Sequence, residues 1–375
     1  MALVLAGCTE AAAPGDAIAD RLTTALFQQH LDAVHAAGVV GVMGEMSDEH
    51  GSFQAHSGVA RLGSDLPVTS DSHVRIGSNT KTFVAVVVLQ LAQEGVLDLD
   101  DSVDQWLPAL VSGNGNDGTQ ITIRDLLRHT SGLSDYTQEV VAEYTPDGYP
   151  MFRATHYDPE QLVAIALQRA PLFAPGTSFS YSNTNYVLAG MIIRQATGRD
   201  WGSEVDARIV APLRLSNTFA PLDELDLPEP HANGYHEFAE DGPLLDVTLM
   251  NHTVADAAGA LVSTTSDLLE FWRALEGGRL LGEAEMAEMH DTVPVDAAGR
   301  VRPGSRYGLG IIWYPTSCGG GYWHHQGDTL GFSVFNAVSD DRTRTVVVAQ
   351  TTTPGGAAVD AEDLKLLDEM MCADR

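Results

Sequence analysis

The spacing of apolar positions divides the chain into helical and extended stretches. At residues 16–37 they recur at helical spacing, which predicts an amphipathic helix. Residues 39–46 and 52–62 read as two strands about a turn at 48–51. A second helix is predicted at 79–94, apolar through Phe83, Val84, Val87, Val88 and Leu91, with Gly95 at the place where a left-handed residue stops a helix. Residues 97–267 alternate helical stretches with long loops of Gly, Pro and Asn. Strand-like runs return at 307–314, 321–326, 333–338 and 345–352, and a last helix is predicted at 359–371.

Strands at both ends with helices between them predict an α+β fold. One antiparallel sheet is assembled from both chain ends, flanked by helices, and carries a mostly helical insert. The division expected is a tether at 1–15, a sheet unit at 16–96 plus 268–375, and a helical unit at 97–267, the last two forming one domain. The seam between them is the natural place for a site. Gly113, Gly115 and Gly118 satisfy G-x-G-x-x-G, but they follow no strand and open no helix, so they read as a polar loop.

Composition narrows the function classes. With 44% hydrophobic residues in 375, the chain can bury a sizeable core. No apolar run approaches the ~18 residues of a membrane span. A formal charge of −30 disfavours nucleic acid and anionic lipid as partners. Only Lys81 and Lys365 are lysines, so the role of each bears asking.

Residues 1–7 lack a basic segment and a full apolar segment, yet Leu5-Ala6-Gly7-Cys8 resembles a lipobox. On that reading Cys8 carries lipid, residues 9–16 are a tether, and the protein lies outside the cytoplasm, touching membrane only through Cys8. The alternative is an incidental cysteine. Lipidation would leave Cys318 and Cys372 as an even pair. A bridge would close the last ~55 residues and contribute about 3–4 kcal/mol; otherwise both are buried thiols. No C-x-x-C or H-E-x-x-H spacing occurs, so neither metal nor cofactor is expected.

Three clusters carry chemistry. Ser78-Asn79-Thr80-Lys81 is the only S-x-x-K, and on a helix it stacks hydroxyl and amine one turn apart. A partly desolvated lysine can take the serine proton, and the helix N-terminus favours a developing oxyanion. Tyr181 and Asn183 lie two apart on a loop after Pro175-Gly176. A phenol beside an ammonium ionises more easily and relays protons, and the amide can hold a substrate carbonyl or the lysine. Alternatively Asn183 is a helix cap and Tyr181 packing. In His324-His325-Gln326-Gly327-Asp328, His325 offers a group titrating near neutrality and Gly327 lets a ligand backbone approach the strand. Adjacent histidines on a strand face opposite ways, so only one faces the cleft.

In this order S-x-x-K, Y-x-N and H-x-G resemble the serine β-lactamase and penicillin-binding superfamily, whose set includes S-x-x-K, S-D-N and K-T-G. The likeness extends to residues 121–133, 174–176, 181–190, 231–235 and 307–310, and covers 20–372. It implies a β-lactamase/transpeptidase-like fold with Ser78 as nucleophile, Lys81 as its base, Tyr181 as acid and base for the leaving group, and Asn183 on the substrate amide. Backbone N–H groups of Ser78 and Asp328 would form the oxyanion hole. The Y-x-N and H-x-G variants are shared by secreted D-alanyl-D-alanine carboxypeptidases, D-aminopeptidases and related esterases. The carboxypeptidases look closest, and they carry cysteines at the places of Cys318 and Cys372, which favours the bridge.

Two departures bear on substrate. Gln326 and Asp328 stand where the carboxypeptidases hold a terminal carboxylate with threonines, and Ile312, 13 residues before His325, stands where they use an arginine. An aspartate repels a carboxylate, so an amide, ester, internal peptide bond or cationic amine fits better. The counter-reading is a carboxypeptidase whose His325 and Gln326 hold the carboxylate with an arginine from elsewhere. The expectation is a monomeric serine acyl-transfer hydrolase acting through a Ser78 acyl-enzyme on D-amino-acid peptides or amides, and acylated by β-lactams. Alternatives are a carboxylesterase, a class C-like β-lactamase, or a lipoprotein that senses β-lactams or binds wall fragments.

Overall fold

The computed structural model describes residues 16–140, 144–239, 242–295 and 302–373. Cys8 and the tether at 1–15 lie outside the described residues. We label the five longest helices α1 (Asp16–Ala36), α2 (Thr80–Gln93), α3 (Asn183–Thr197), α4 (Thr265–Glu276) and α5 (Gly356–Cys372). The main sheet holds β1 (Gly41–Asp48), β2 (Gly51–Gly58), β3 (Val293–Pro294), β4 (Arg306–Tyr307), β5 (Ile312–Pro315), β6 (Gly321–His324), β7 (Gly327–Thr329), β8 (Phe332–Ser339) and β9 (Thr345–Gln350).

Its order is β2-β1-β9-β8-β6-β5-β4-β3, with β7 paired to β8, and every pairing is antiparallel. The first and last strands of this sheet in chain order thus lie side by side, where β1 pairs β9. Side-chain alternation explains why both faces are covered. Val42, Met46, Val346 and Val348 pack beneath Phe27 and Leu31 of α1 and Leu367 and Met370 of α5. Met43, Val347 and Ala349 face the opposite way, into the core that holds Leu268, Phe271 and Trp272 of α4. A one-residue slip of either strand would exchange these sets.

Helix α2 packs among helices, against α3, the short helices after it and α4. The reason is its composition: Thr80 through Leu89 are all buried, so the helix has no polar face to turn outward. Phe83 stacks on Phe271 with ring centroids 3.6 Å apart.

Two expectations are modified. The strand expected at 307–314 is two strands, β4 and β5, parted by a turn at Gly310 (φ +71°), where a Cβ would lie 2.6 Å from that of Ala85 on α2. Helix α3 begins at Asn183, a residue expected on a loop. Cys318 and Cys372 are bridged (S–S 2.03 Å), tying the end of α5 to the β5–β6 turn. No helix among the described residues is long and apolar enough to cross a membrane.

Candidate active site

Ser78 sits in a single 3-10 turn, Gly77–Asn79, that leads into α2. Lys81 follows in the first turn of that helix and is 0% exposed. Its ammonium nitrogen donates to Ser78 Oγ at 3.0 Å, Asn183 Oδ1 at 2.7 Å and the Ala258 carbonyl at 2.6 Å. Three acceptors use all three of its protons. Burial nevertheless pushes the amine down to about 7, against the opposing pull of the Asp135 carboxylate. A substantial fraction of Lys81 is therefore neutral near pH 7 and able to accept the Ser78 proton.

Tyr181 and Asn183 arrive from the start of α3. Asn183 is a helical residue, not the loop residue expected, and its amide is fixed at both ends: Oδ1 accepts from Lys81, and Nδ2 donates to Asp135 Oδ2 at 3.0 Å. It holds the lysine, and its remaining N–H is the part left for substrate. The Tyr181 ring lies 4.9 Å from Lys81 Nζ, and its hydroxyl meets that of Ser78. Easier ionisation of this phenol beside the ammonium was expected. Burial raises it instead, far more than the Ser78 contact lowers it. Tyr181 is a neutral phenol in its resting state, a carrier of a proton and not a tyrosinate.

The third wall is β7. Gly327 was expected to admit a ligand backbone, but what approaches it is protein: a Cβ there would lie 1.9 Å from the Ile76 carbonyl. On the facing turn, a Cβ on Gly77 would lie 2.8 Å from the Asp328 backbone nitrogen. These two glycines press the strand against the Ser78 turn. A buried amide pair fixes the contact, since Asn79 Oδ1 accepts from Asn336 Nδ2, and Asn336 exchanges hydrogen bonds with both backbone atoms of His325 at 2.6 and 3.0 Å. Thr329 and Phe332 close the hairpin turn, so antiparallel alternation leaves the N–H and C=O of Asp328 directed away from its partner Ser333, toward the open edge of β7.

His325 is corrected by the structure. It is 2% exposed, and burial, reinforced by Lys81, lowers it to about 3, so it is neutral across the physiological range. Both ring nitrogens are engaged inside the protein, with Tyr307 and the Gln326 carbonyl. His324 faces the other way, against Tyr314 and Tyr322. Ile312 is corrected for the same reason: it pairs with His324 and packs in the core beneath α1 and α5, away from the cleft. Gln326 and Asp328 do line the cleft. Asp328 touches solvent at the rim while protein surrounds it, which raises its carboxyl; donations from Ser333 Oγ (2.5 Å) and Gln326 Nε2 (3.0 Å) oppose that.

Ser78 and Asn183 open into a cavity of about 700 Å³. Its apolar lining includes Tyr136, Tyr144, Phe238, Met250 and Val254. Glu237, Asp328, Asp360 and Asp363 also line it, and no arginine or lysine is among the described lining residues. Asp363 is buried and pushed up to about 8 by that burial. The sequence reading missed Asp135, which orients Asn183, the Ala258 carbonyl, and His129. The only signal for His129 was its place in the Arg-His-Thr-Ser-Gly run. No cluster of three potential metal ligands occurs among the described residues.

Residues 23–369 match the beta-lactamase family. The chain is similar to a D-stereospecific amidohydrolase from Streptomyces sp., 38% identical over 94% of this chain and 99% of that one, TM-score 0.85. It is also similar to the D-amino acid amidase of Ochrobactrum anthropi SV3 solved with L-phenylalanine amide, 28% identical over 94% and 98%, TM-score 0.81. A penicillin-binding protein of Bacillus subtilis (strain 168) is 28% identical over 80% of this chain, which spans 64% of that protein's length.

Proposed function

The chain belongs to the beta-lactamase family, and from that premise we propose that it hydrolyses amides of D-amino acids through an acyl-enzyme on Ser78. The observation that carries the substrate choice is the charge of the cleft. Its described lining has four acidic side chains, of which Asp363 is held mostly protonated near pH 7, and no arginine or lysine, and the third motif supplies a neutral histidine. A free C-terminal carboxylate has nothing to pair with there and meets Asp328 instead. A neutral amide avoids that repulsion, a substrate ammonium gains from it, and the apolar lining accommodates a large side chain. Two structurally similar enzymes are named for action on D-amino acid derivatives or D-stereospecific amide hydrolysis, which supports the same class.

The proposed sequence uses the contacts described. Neutral Lys81 takes the Ser78 proton as Oγ attacks the acyl carbon. The oxyanion is received by the N–H groups of Ser78 and Asp328. Tyr181 gives its proton to the departing amine and regains one from the Ser78–Lys81 pair. Water then attacks the ester, its proton passing to the same pair, and the acid product leaves. We also infer a location outside the cytoplasm, supported by the bridged cysteines. Lipid on Cys8 is part of the same reading.

The test compares hydrolysis of D-phenylalanine amide and acyl-D-Ala-D-Ala amide with that of acyl-D-Ala-D-Ala as the free acid, and with L-phenylalanine amide. Preference for the D-amides is expected. Preference for the free acid would overturn the reading of the cleft.

A further inference from the structure

Three buried groups beside the cleft take no part in these proton transfers: His129, Tyr307 and His325, each at most 2% exposed. One arrangement of protons satisfies their hydrogen bonds together, although the Tyr307 hydroxyl also lies beside that of Tyr186. His325 Nδ1 lies 2.7 Å from the Gln326 carbonyl, which only accepts, so Nδ1 carries the proton. Nε2 is therefore the acceptor, and the Tyr307 hydroxyl donates to it at 2.9 Å. With that proton committed, His129 Nε2, 3.1 Å away, must donate to the Tyr307 oxygen. His129 Nδ1 is then bare, and it accepts from the Ser182 backbone N–H at 3.2 Å and the Asn185 amide at 3.1 Å. The other end of that amide confirms the direction, because Asn185 Oδ1 accepts from Ser131 Oγ at 2.6 Å.

The run begins on either side of Asn183 and ends two residues before Asp328. It joins the segment that carries Tyr181 to the strand that presents the oxyanion donor. The Tyr181 ring also rests on the first member, with centroids 4.2 Å from His129. Both imidazoles are held neutral by burial, so the run adds no charge that would compete with Lys81.

We propose that His129 and Tyr307 are positioning residues that act through His325 to set the spacing between Tyr181 and the Asp328 amide. This rests on the acyl-transfer reading above. It has a chemical signature. An amine leaves only if it is protonated as the bond breaks, so amide cleavage needs Tyr181 in place, whereas p-nitrophenolate departs without help.

The experiment measures kcat for D-phenylalanine amide and for p-nitrophenyl acetate in Tyr307→Phe, His129→Gln and His129→Asn. Tyr307→Phe removes both links and should lower amide turnover about 10-fold or more beyond any loss on the ester, the scale of a small displacement of a reacting group. His129→Gln keeps an N–H at the Nε2 place and should retain most of the amide activity; His129→Asn lacks it and should not. Equal losses on amide and ester, or equal behaviour of Gln and Asn, would overturn the proposal. Nitrogen-15 NMR of labelled histidines decides the strut without any substrate. The wild type should show His129 protonated at Nε2 and His325 at Nδ1, both neutral at pH 7. The opposite tautomers, or an imidazolium, would overturn it. A wild type that hydrolyses neither D-amide would overturn the functional reading, leaving the NMR result to judge the strut.

Discussion

Changing Asp135 to Asn should move the pH at which the enzyme switches on. Asp135 touches Asn183, and Asn183 touches Lys81, through hydrogen bonds of 3.0 and 2.7 Å. Across the intervening amide the carboxylate stands roughly 6–7 Å from the ammonium. At an effective dielectric of about 20 to 40 their attraction is about 1.3–2.6 kcal/mol, or ~1–2 pH units. Asp135 raises the Lys81 pKa while burial lowers it to about 7. Only neutral Lys81 can accept the Ser78 proton, so kcat/KM of the wild type should rise with pH and level off above about 7. In Asp135→Asn the rising limb should lie at least about one unit lower. Some plateau activity should be lost, because Asp135 accepts from both Asn183 and the Thr137 N–H, and an asparagine cannot serve both through its single oxygen. The assay is kcat/KM for D-phenylalanine amide between pH 5 and 9 for both proteins. An unmoved limb, or one displaced upward, would refute the assignment of Lys81 as the titrating base.

Other outcomes follow from the same geometry. Asp328→Gly keeps the backbone donor and removes the carboxylate; kcat/KM for the acyl-D-Ala-D-Ala free acid should rise about threefold or more, the effect of one screened charge at cleft distances, and no gain would count against repulsion as the basis of substrate choice. The Asp363 carboxyl is pushed up to about 8 by burial, so its contribution to stability is complete below the unfolded pKa near 3.8 and is lost as pH rises toward 8. Asp363→Asn should therefore match the wild-type melting temperature at pH 4 and exceed it at pH 8 by on the order of 5 °C; a constant difference would contradict this. Cys318–Cys372 closes a loop of 54 residues in separation, worth about 4 kcal/mol in the chain-entropy view, so dithiothreitol should lower the melting temperature of the wild type and leave that of Cys318→Ser unchanged.

What was legible in the sequence was local. Ser78 and Lys81 are one helical turn apart, so their spacing alone fixes their juxtaposition. The strands at both chain ends, with helices between, were enough for the sheet. Residues whose role depends on distant packing were not legible. Asp135 reaches Lys81 only because Asn183 lies between them, 48 residues away in sequence. His325 was read as a titrating group because its type suggests one; its neutrality comes from burial and from Tyr307, neither written in the local motif. Ile312 shows a different limit. Counting along the chain found a position, but strand parity put that side chain on the face beneath α1 and α5.

The central claim is that Ser78 forms the covalent intermediate. Rapid acid quenching during turnover of D-phenylalanine p-nitroanilide, followed by mass spectrometry of the digested protein, tests it directly. The account predicts a phenylalanyl ester on the peptide that contains Ser78, absent in Ser78→Ala together with all turnover. An adduct on another residue, or turnover that survives in Ser78→Ala, would contradict it.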